Sequence, residues 1–259
     1  MTELEWYHFV IMLLAGGAAG VVNTLAGSGS VFTLTVLIFA GLPADVANGT
    51  NRVGTTTQSF IATATFHKNN MLPFKRSLHY TVPALLGALV GAVTAAEVNE
   101  RIMELIIGGI MILLLLITVF KPQQYINTSI IKDKNHWIQY VAFVAIGFYG
   151  GFIQAGIGIF LLVALNVTSH FNMIEANAVK ILTVMLFSLP VLGIFIYNKQ
   201  VNWPIGLWVA VGQAVGSFIS AKFAVKSNNA SVWIKRLLII MMLTTIFKVF
   251  GIIDWLMNI

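Results

Sequence analysis

Two short polar runs interrupt an otherwise apolar chain, and each brings a cation and carboxamide side chains to the start of a helix. The first is Ala47-Asn48-Gly49-Thr50-Asn51-Arg52. Asn48 and Asn51 stand three apart and share a helix face. Arg52 follows about two turns into that helix, at roughly 1.5 Å per residue. No carboxylate lies one helical turn from it, since Asp45 is seven residues back. The second run carries Asn177 and Lys180, again three apart, with Glu175 five residues before the lysine and poorly placed to share its face. Ahead of each run stands a glycine break: Gly27-Ser28-Gly29, preceded by Asn23, and Gly156-Ile157-Gly158, preceded by Gln154. Backbone amides at the start of a helix carry partial positive charge and hold anions. Asn23, Gly27, Ser28, Gly29, Asn48, Asn51, Arg52, Gln154, Gly156, Gly158, Asn177 and Lys180 are therefore the residues expected to bind a small anion. The competing reading has the glycines serving close helix packing and the two cations snorkelling to headgroups. The polar run Thr55-Thr56-Thr57-Gln58-Ser59 either lines a pathway or bonds to its own backbone.

The elements that must position these residues follow from composition. Hydrophobic residues make up 58% of the chain and charged residues 9%, against about a quarter charged in a soluble domain. Such a chain cannot cover its surface with polar groups in water, but it suits a bilayer. Ten apolar segments run over 6–25, 31–40, 46–66, 78–96, 102–120, 137–154, 157–167, 176–197, 203–223 and 233–256. Continuous apolar runs, with the backbone satisfied inside each segment, make them helices. The second and seventh are too short to span alone and each follows a glycine break. The first basic residue is Arg52, so the opening segment lacks the basic leader of a cleaved signal and is expected to stay. Cysteine is absent, which excludes disulfides and thiolate metal sites. No metal or other cofactor is expected, and the net charge of +6 resides in short loops rather than in a nucleic-acid face.

The chain also reads as a duplication. Ala26-Gly27-Ser28-Gly29 matches Ala155-Gly156-Ile157-Gly158, and Ala47-Asn48 matches Ala176-Asn177 at the same offset. Gly87 and Gly91 match Gly212 and Gly216. The expected parts are a first repeat over 1–120, a cytoplasmic linker over 121–136 and a second repeat over 137–259. If each glycine break is a hairpin, ten loop Lys and Arg fall on one side of the membrane, with Arg101 and Lys199 opposite. If each is a kink, the split is seven to five. The positive-inside rule favours hairpins, which makes the halves inverted and puts both termini outside the cytoplasm. Acidic residues, His67 and His170 fall near segment ends, Lys248 has no counterpart in the first half, and no side chain stands out for proton coupling. Nothing resembles a catalytic set or a P-loop, so neither an enzyme nor an ATP-driven pump is expected.

The stretch from Ala19 to Ser30, with Gly41-Leu42-Pro43-Ala44 and Ala47-Asn48-Gly49-Thr50-Asn51, resembles the opening motif of the sulfite exporter TauE/SafE family of permeases. A weaker repeat follows around Gly150-Gly151-Phe152-Ile153-Gln154-Ala155-Gly156-Ile157-Gly158, where Ile157 replaces the small polar residue expected from Ser28. The resemblance implies movement of sulfite, organosulfonates or related anions, commonly outward across the bacterial inner membrane. The combined expectation is an all-α, polytopic integral membrane protein of two inverted repeats with Gly-broken helical hairpins. It would work as a secondary transporter by alternating access, with a small anion and membrane lipid as partners, an unassigned coupling ion and room for an oligomer. An anion channel and a non-transporting membrane scaffold are the alternatives.

Overall fold

A computed structural model describes residues 6–120, 136–169, 171–223 and, near the C-terminus, 239–240, 242–243 and 245–250. The linker expected over 121–136 lies almost wholly outside the described residues, as do His170 and most of the tenth segment. Among the described residues the chain is helical, with no strand. The helices are α1 (Trp6–Leu25), α2 (Ser30–Phe39), α3 (Ala44–Lys68), α4 (Phe74–Glu97), α5 (Glu100–Phe120), α6 (His136–Phe152), α7 (Ile157–Thr168), α8 (Met173–Tyr197) and α9 (Trp203–Phe223). Helices α4, α5, α8 and α9 are long and apolar enough to cross a membrane. Their outer faces expose Leu86, Val90, Leu113, Leu116, Leu207, Val211 and Val215, the side chains that lipid solvates. Helix α3 is too polar for that and is enclosed by its neighbours, with Asn48, Thr50, Asn51, Arg52 and Thr55 fully buried.

Several helices begin before the apolar stretch does. Helix α8 starts at Met173 because Asn172 accepts from the Glu175 amide while the Glu175 carboxylate accepts from the Asn172 amide, a reciprocal cap. Helix α3 starts at Ala44, directly after Pro43, with Asp45 in its first turn, where a carboxylate suits the amide end. Polar residues at these ends hide the true starts from a reading based on hydropathy.

Glycines set the helix pairing. A side chain on Gly16 would strike the Val209 carbonyl and one on Gly20 the Gln213 carbonyl, so α1 and α9 run parallel in close contact. Gly87 and Gly91 meet Val144 and Phe148 in the same way, so α4 and α6 are also parallel. These glycines take the packing role that the spacing suggests. Helices α3 and α8 run antiparallel: Gly49 faces Gln200 and Phe195, whereas Ala62 and Phe66 cluster with Ala178 and Ile181.

Both glycine breaks are hairpins. Asn23 of α1 bonds Ser30 at the start of α2, and Met12 near the other end of α1 packs in one cluster with Leu37, so α2 doubles back along α1. Tyr149 of α6 stacks edge-on against Phe160 of α7, and a side chain on Gly150 would meet Ile157. The second hairpin thus matches the first. At ten and twelve residues, α2 and α7 reach only ~15–18 Å, about half of a hydrocarbon core of roughly 30 Å. Both breaks lie level with the middle of α3. Thr55 Oγ1 donates to Gln154 Oε1 at 3.1 Å, and Thr24 reaches the Gln58 carbonyl through Ser217.

At that depth the two hairpin tips touch. The Gly158 amide donates to the Gly27 carbonyl at 3.0 Å. A side chain on either glycine would collide with the backbone of the other, and Gly27 sits at φ +78°, the region glycine alone enters at no cost. Gly27→Ala is expected to destabilise the detergent-solubilised protein by about 2–4 kcal/mol from left-handed strain plus overpacking. Gly109→Ala, where the added carbon meets nothing within 4 Å, should leave the thermal midpoint unchanged. A thermal-shift comparison of the two variants checks this.

Candidate functional site

A broken helix ends with carbonyls that have no partner in the helix. In hydrocarbon these groups must be satisfied by protein. Here the two buried cations do it, and each does so across the halves. Arg52 of α3 donates from Nη1 to the Gly150 carbonyl at 2.6 Å and from Nη2 to the Gly151 carbonyl at 2.8 Å, at the end of α6. Asn48, one turn earlier, donates to the Phe152 carbonyl at 2.7 Å. Its Oδ1 accepts a longer bond from Arg52 at 3.4 Å. Phe195 of α8 covers the guanidinium at 5.2 Å. In the mirror arrangement Lys180 of α8 donates to the Asn23 and Thr24 carbonyls at 3.1 and 3.4 Å, at the end of α1. Asn177 donates to the same Thr24 carbonyl at 3.0 Å. Asn48 and Asn177 thus take like places at the two helix ends, as do Arg52 and Lys180.

Neither cation reaches toward headgroups: Arg52 is 0% and Lys180 1% exposed. Their counter-charge is the negative end of a helix dipole, a partner that counting carboxylates does not reveal.

Beside the touching tips lies a small cavity of about 30 Å³. Its wall includes Asn23, Gly27, Gln154, Gly158 and Lys180, so the structure brings these five of the twelve expected residues together. Thr24, Ser30, Gln58 and Ser59 complete the polar part of the lining. Lys180 spends two N–H groups on carbonyls, which leaves one of its three donors for the cavity. Asn23 uses its Oδ1 to receive the Ser30 amide at 3.2 Å, and its Nδ2 is buried without a partner. Gln154 spans Thr55 and Ser188, the latter at a long 3.5 Å. The space suffices for about two waters.

The other seven expected residues stand around this cavity rather than on it. Asn51 receives the Thr33 hydroxyl at 2.5 Å and faces α2, with its Nδ2 buried and unpartnered. The Ser28 hydroxyl is buried without a partner, and Gly29 packs against Ala19 and Asn23. Gly156 caps α7 at φ +70°. Asn48, Arg52 and Asn177 hold the helix ends as described. The helix-start amides, expected to face a ligand, are partly spent inside the tips: Ser30 on Asn23, Val31 on the Ser28 carbonyl and Gly158 on Gly27. Gln58 and Ser59 came from a run whose role the sequence left open. Thr24 and Ser30 carried no signal beyond their nearness to the break.

The family model described as "Sulfite exporter TauE/SafE" matches residues 12–249. "Probable membrane transporter protein ORF9" of a Sinorhizobium species is 25% identical over 244 residues, covering 93% of this chain and 91% of the relative. A "Probable membrane transporter protein" of Haemophilus influenzae is 21% identical over 85% of this chain and 86% of its own length. "Probable membrane transporter protein YfcA" of Escherichia coli K12 is 23% identical over 85% and 80%. No solved structure matches the chain significantly.

The geometry around α6 generates a specific expectation. Arg52→Ala strands two buried helix-end carbonyls and the Asn48 Oδ1 and should cost about 2–5 kcal/mol, in line with leaving buried polar groups unsatisfied. Arg52→Lys keeps the charge but not the fork and should recover part of it. Thermal unfolding in detergent, without any substrate added, reads both.

Proposed function

The chain belongs to the sulfite exporter TauE/SafE family of membrane transport proteins, and we propose that it exports a small sulfur-containing anion, such as sulfite or an organosulfonate, by alternating access around the cavity between the hairpin tips. The observation that carries this reading is the Lys180 ammonium on the cavity wall. It has one donor to spare, the unpartnered Asn23 amide stands on the same wall, and among the described residues no carboxylate lines the cavity. A dehydrated anion at mid-membrane needs such fixed donors, which act strongly where water is excluded. The cavity is too small for such an ion as it stands, so on this reading the tips must separate to load.

The antiparallel course of α3 and α8, and the exchange of helix caps between halves, support reading the chain as two inverted repeats. That is a recurrent plan for carriers that rock around a midplane site. Lys68, Lys75, Arg76 and Lys222 gather at one end of the bundle, and Arg101 and Lys199 at the other. The positive-inside rule therefore makes the first end cytoplasmic, in a bacterial inner membrane. The far end is closed by Gln200 Nε2 on Asp45 Oδ2 and the Ala96 carbonyl, each at 3.2 Å, and the Asn202 amide on Thr50 at 2.9 Å, beside the apolar cluster of Met12, Leu37, Ala47, Ile205 and Val209. Substrate would leave there.

Purified protein in liposomes tests the proposal with labelled sulfite, isethionate and sulfate. The expected result is saturable uptake of at least one sulfur anion, stimulated by the same anion inside, and reduced on the order of tenfold or more by Lys180→Ala, since a lost charged hydrogen bond is worth roughly 1.5–3 kcal/mol. Unsaturable flux with unitary currents would make the protein a channel. Intact flux in Lys180→Ala would remove the proposed site.

A further inference from the structure

The two ends of the bundle are closed differently. On the side of Asp45 and Lys199 the seal combines hydrogen bonds between helices with the apolar cluster of Met12, Leu37, Ala47, Ile205 and Val209. On the side of Lys68 and Lys222 it is a small apolar plug: Phe66 of α3 is set among Ala62, Ala178, Ile181 and Ala221, with Met71 and Leu72 against it. None of these side chains has a hydrogen-bonding group. Two of them, Ala62 and Ile181, also line the central cavity, so the plug is the inner wall of the site.

Beyond the plug lie two voids, and Phe66 borders both. One, of about 420 Å³, is lined by Thr65, Lys68, Asn69, Phe218 and Lys222 along with Phe66, Met71 and Ala221. Lys222 leans over the Phe218 ring at 4.2 Å, and both lysines are exposed. The other, of about 180 Å³, passes between Leu25, Leu162, Met173 and Ile174 to Asn177. Asn177 holds the same Thr24 carbonyl as Lys180. A ring 3% exposed therefore separates a basic vestibule from the ammonium of the site. Open volume lies next to it, and among the described residues its cluster consists of three alanines, Ile181, Met71 and Leu72. Rotating it into either void requires no hydrogen bond to break.

We propose that Phe66 is the gate between the site and the charge-rich end, with Lys68 and Lys222 collecting anions in the vestibule before it. The inference rests on the anion-transport reading for its purpose, but the gate can be tested without a substrate. In the resting structure the ring closes the inner path while the mixed seal closes the outer one. Movement of Phe66 opens the inner path first, since it disturbs only dispersion contacts.

The chain contains no cysteine, so single reporter thiols need no background removal. Ala62→Cys reports on the cavity side of the plug. Ala47→Cys, fully buried in the cluster with Met12, Leu37, Ile205 and Val209, reports on the opposite end of α3. Each is labelled in nanodiscs, where both faces are accessible, with a charged methanethiosulfonate that does not cross lipid. Combining Ala62→Cys with Phe66→Ala should speed labelling on the order of tenfold or more, because truncating a packed ring removes contacts made only in the closed state. Phe66→Leu should give an intermediate rate and serves if the alanine variant does not fold. Ala47→Cys should be labelled at the same rate in all three backgrounds. Unchanged labelling of Ala62→Cys, or equal acceleration at Ala47→Cys, overturns the gate. The expected labelling in a protein that moves no sulfur anion in liposomes would keep the gate and reject the proposed substrate.

Discussion

A helix that stops halfway through a bilayer leaves a row of carbonyls pointing into hydrocarbon, and everything at the centre of this molecule follows from how those groups are satisfied. Water is unavailable at that depth, and each unsatisfied group there costs several kcal/mol. The chain solves the problem with a buried arginine and a buried lysine, each drawn from the half opposite to the helix it caps. The cation gains a counter-charge without a carboxylate, and the helix end gains its donors. Because Arg52 of α3 caps α6 and Lys180 of α8 caps α1, each hairpin takes its cap from a helix outside it. The same bonds therefore fold the hairpins and clamp the halves together.

That arrangement divides the polar centre into parts with different work. Arg52 is saturated on one side by the end of α6 and covered by Phe195. Lys180 is held by only two carbonyls and keeps a face on the cavity. The asymmetry tracks side-chain shape. A guanidinium is a planar fork matched to two neighbouring acceptors, whereas an ammonium is a point charge with rotatable donors. On the proposed anion-binding reading, Arg52 keeps the scaffold and Lys180 is the cation free to meet a ligand. The glycines at the tips serve the same end: they allow backbone to touch backbone at Gly27 and Gly158, leaving the space beside them small and polar.

Much of the fold was legible because its causes are local or compositional. Apolar runs of the right length gave α1 and α9 with the observed bounds, and the others to within a few residues. Glycines four apart, at Gly16/Gly20, Gly87/Gly91 and Gly212/Gly216, permit close helix contacts, and the structure has them. The charge count favoured hairpins over kinks, and α2 and α7 do double back. The helix starts were harder to read. Asp45 and the Asn172–Glu175 cap look like loop residues by hydropathy but hold the first turn by hydrogen bonding.

The sequence by itself determined that this is a helical membrane protein with two glycine breaks, and that amides and cations accompany each break. Residue type, spacing and the solvation cost of charge are enough for that. Only the tertiary structure decided what the cations face. Carbonyls are present at every residue, so nothing in a string of letters marks Gly150, Gly151, Asn23 and Thr24 as the ones left bare. That depends on where a helix ends and which distant helix lies beside it. The same holds for the cavity and the Phe66 plug. Both form between elements far apart in the chain, and packing alone settles where they lie.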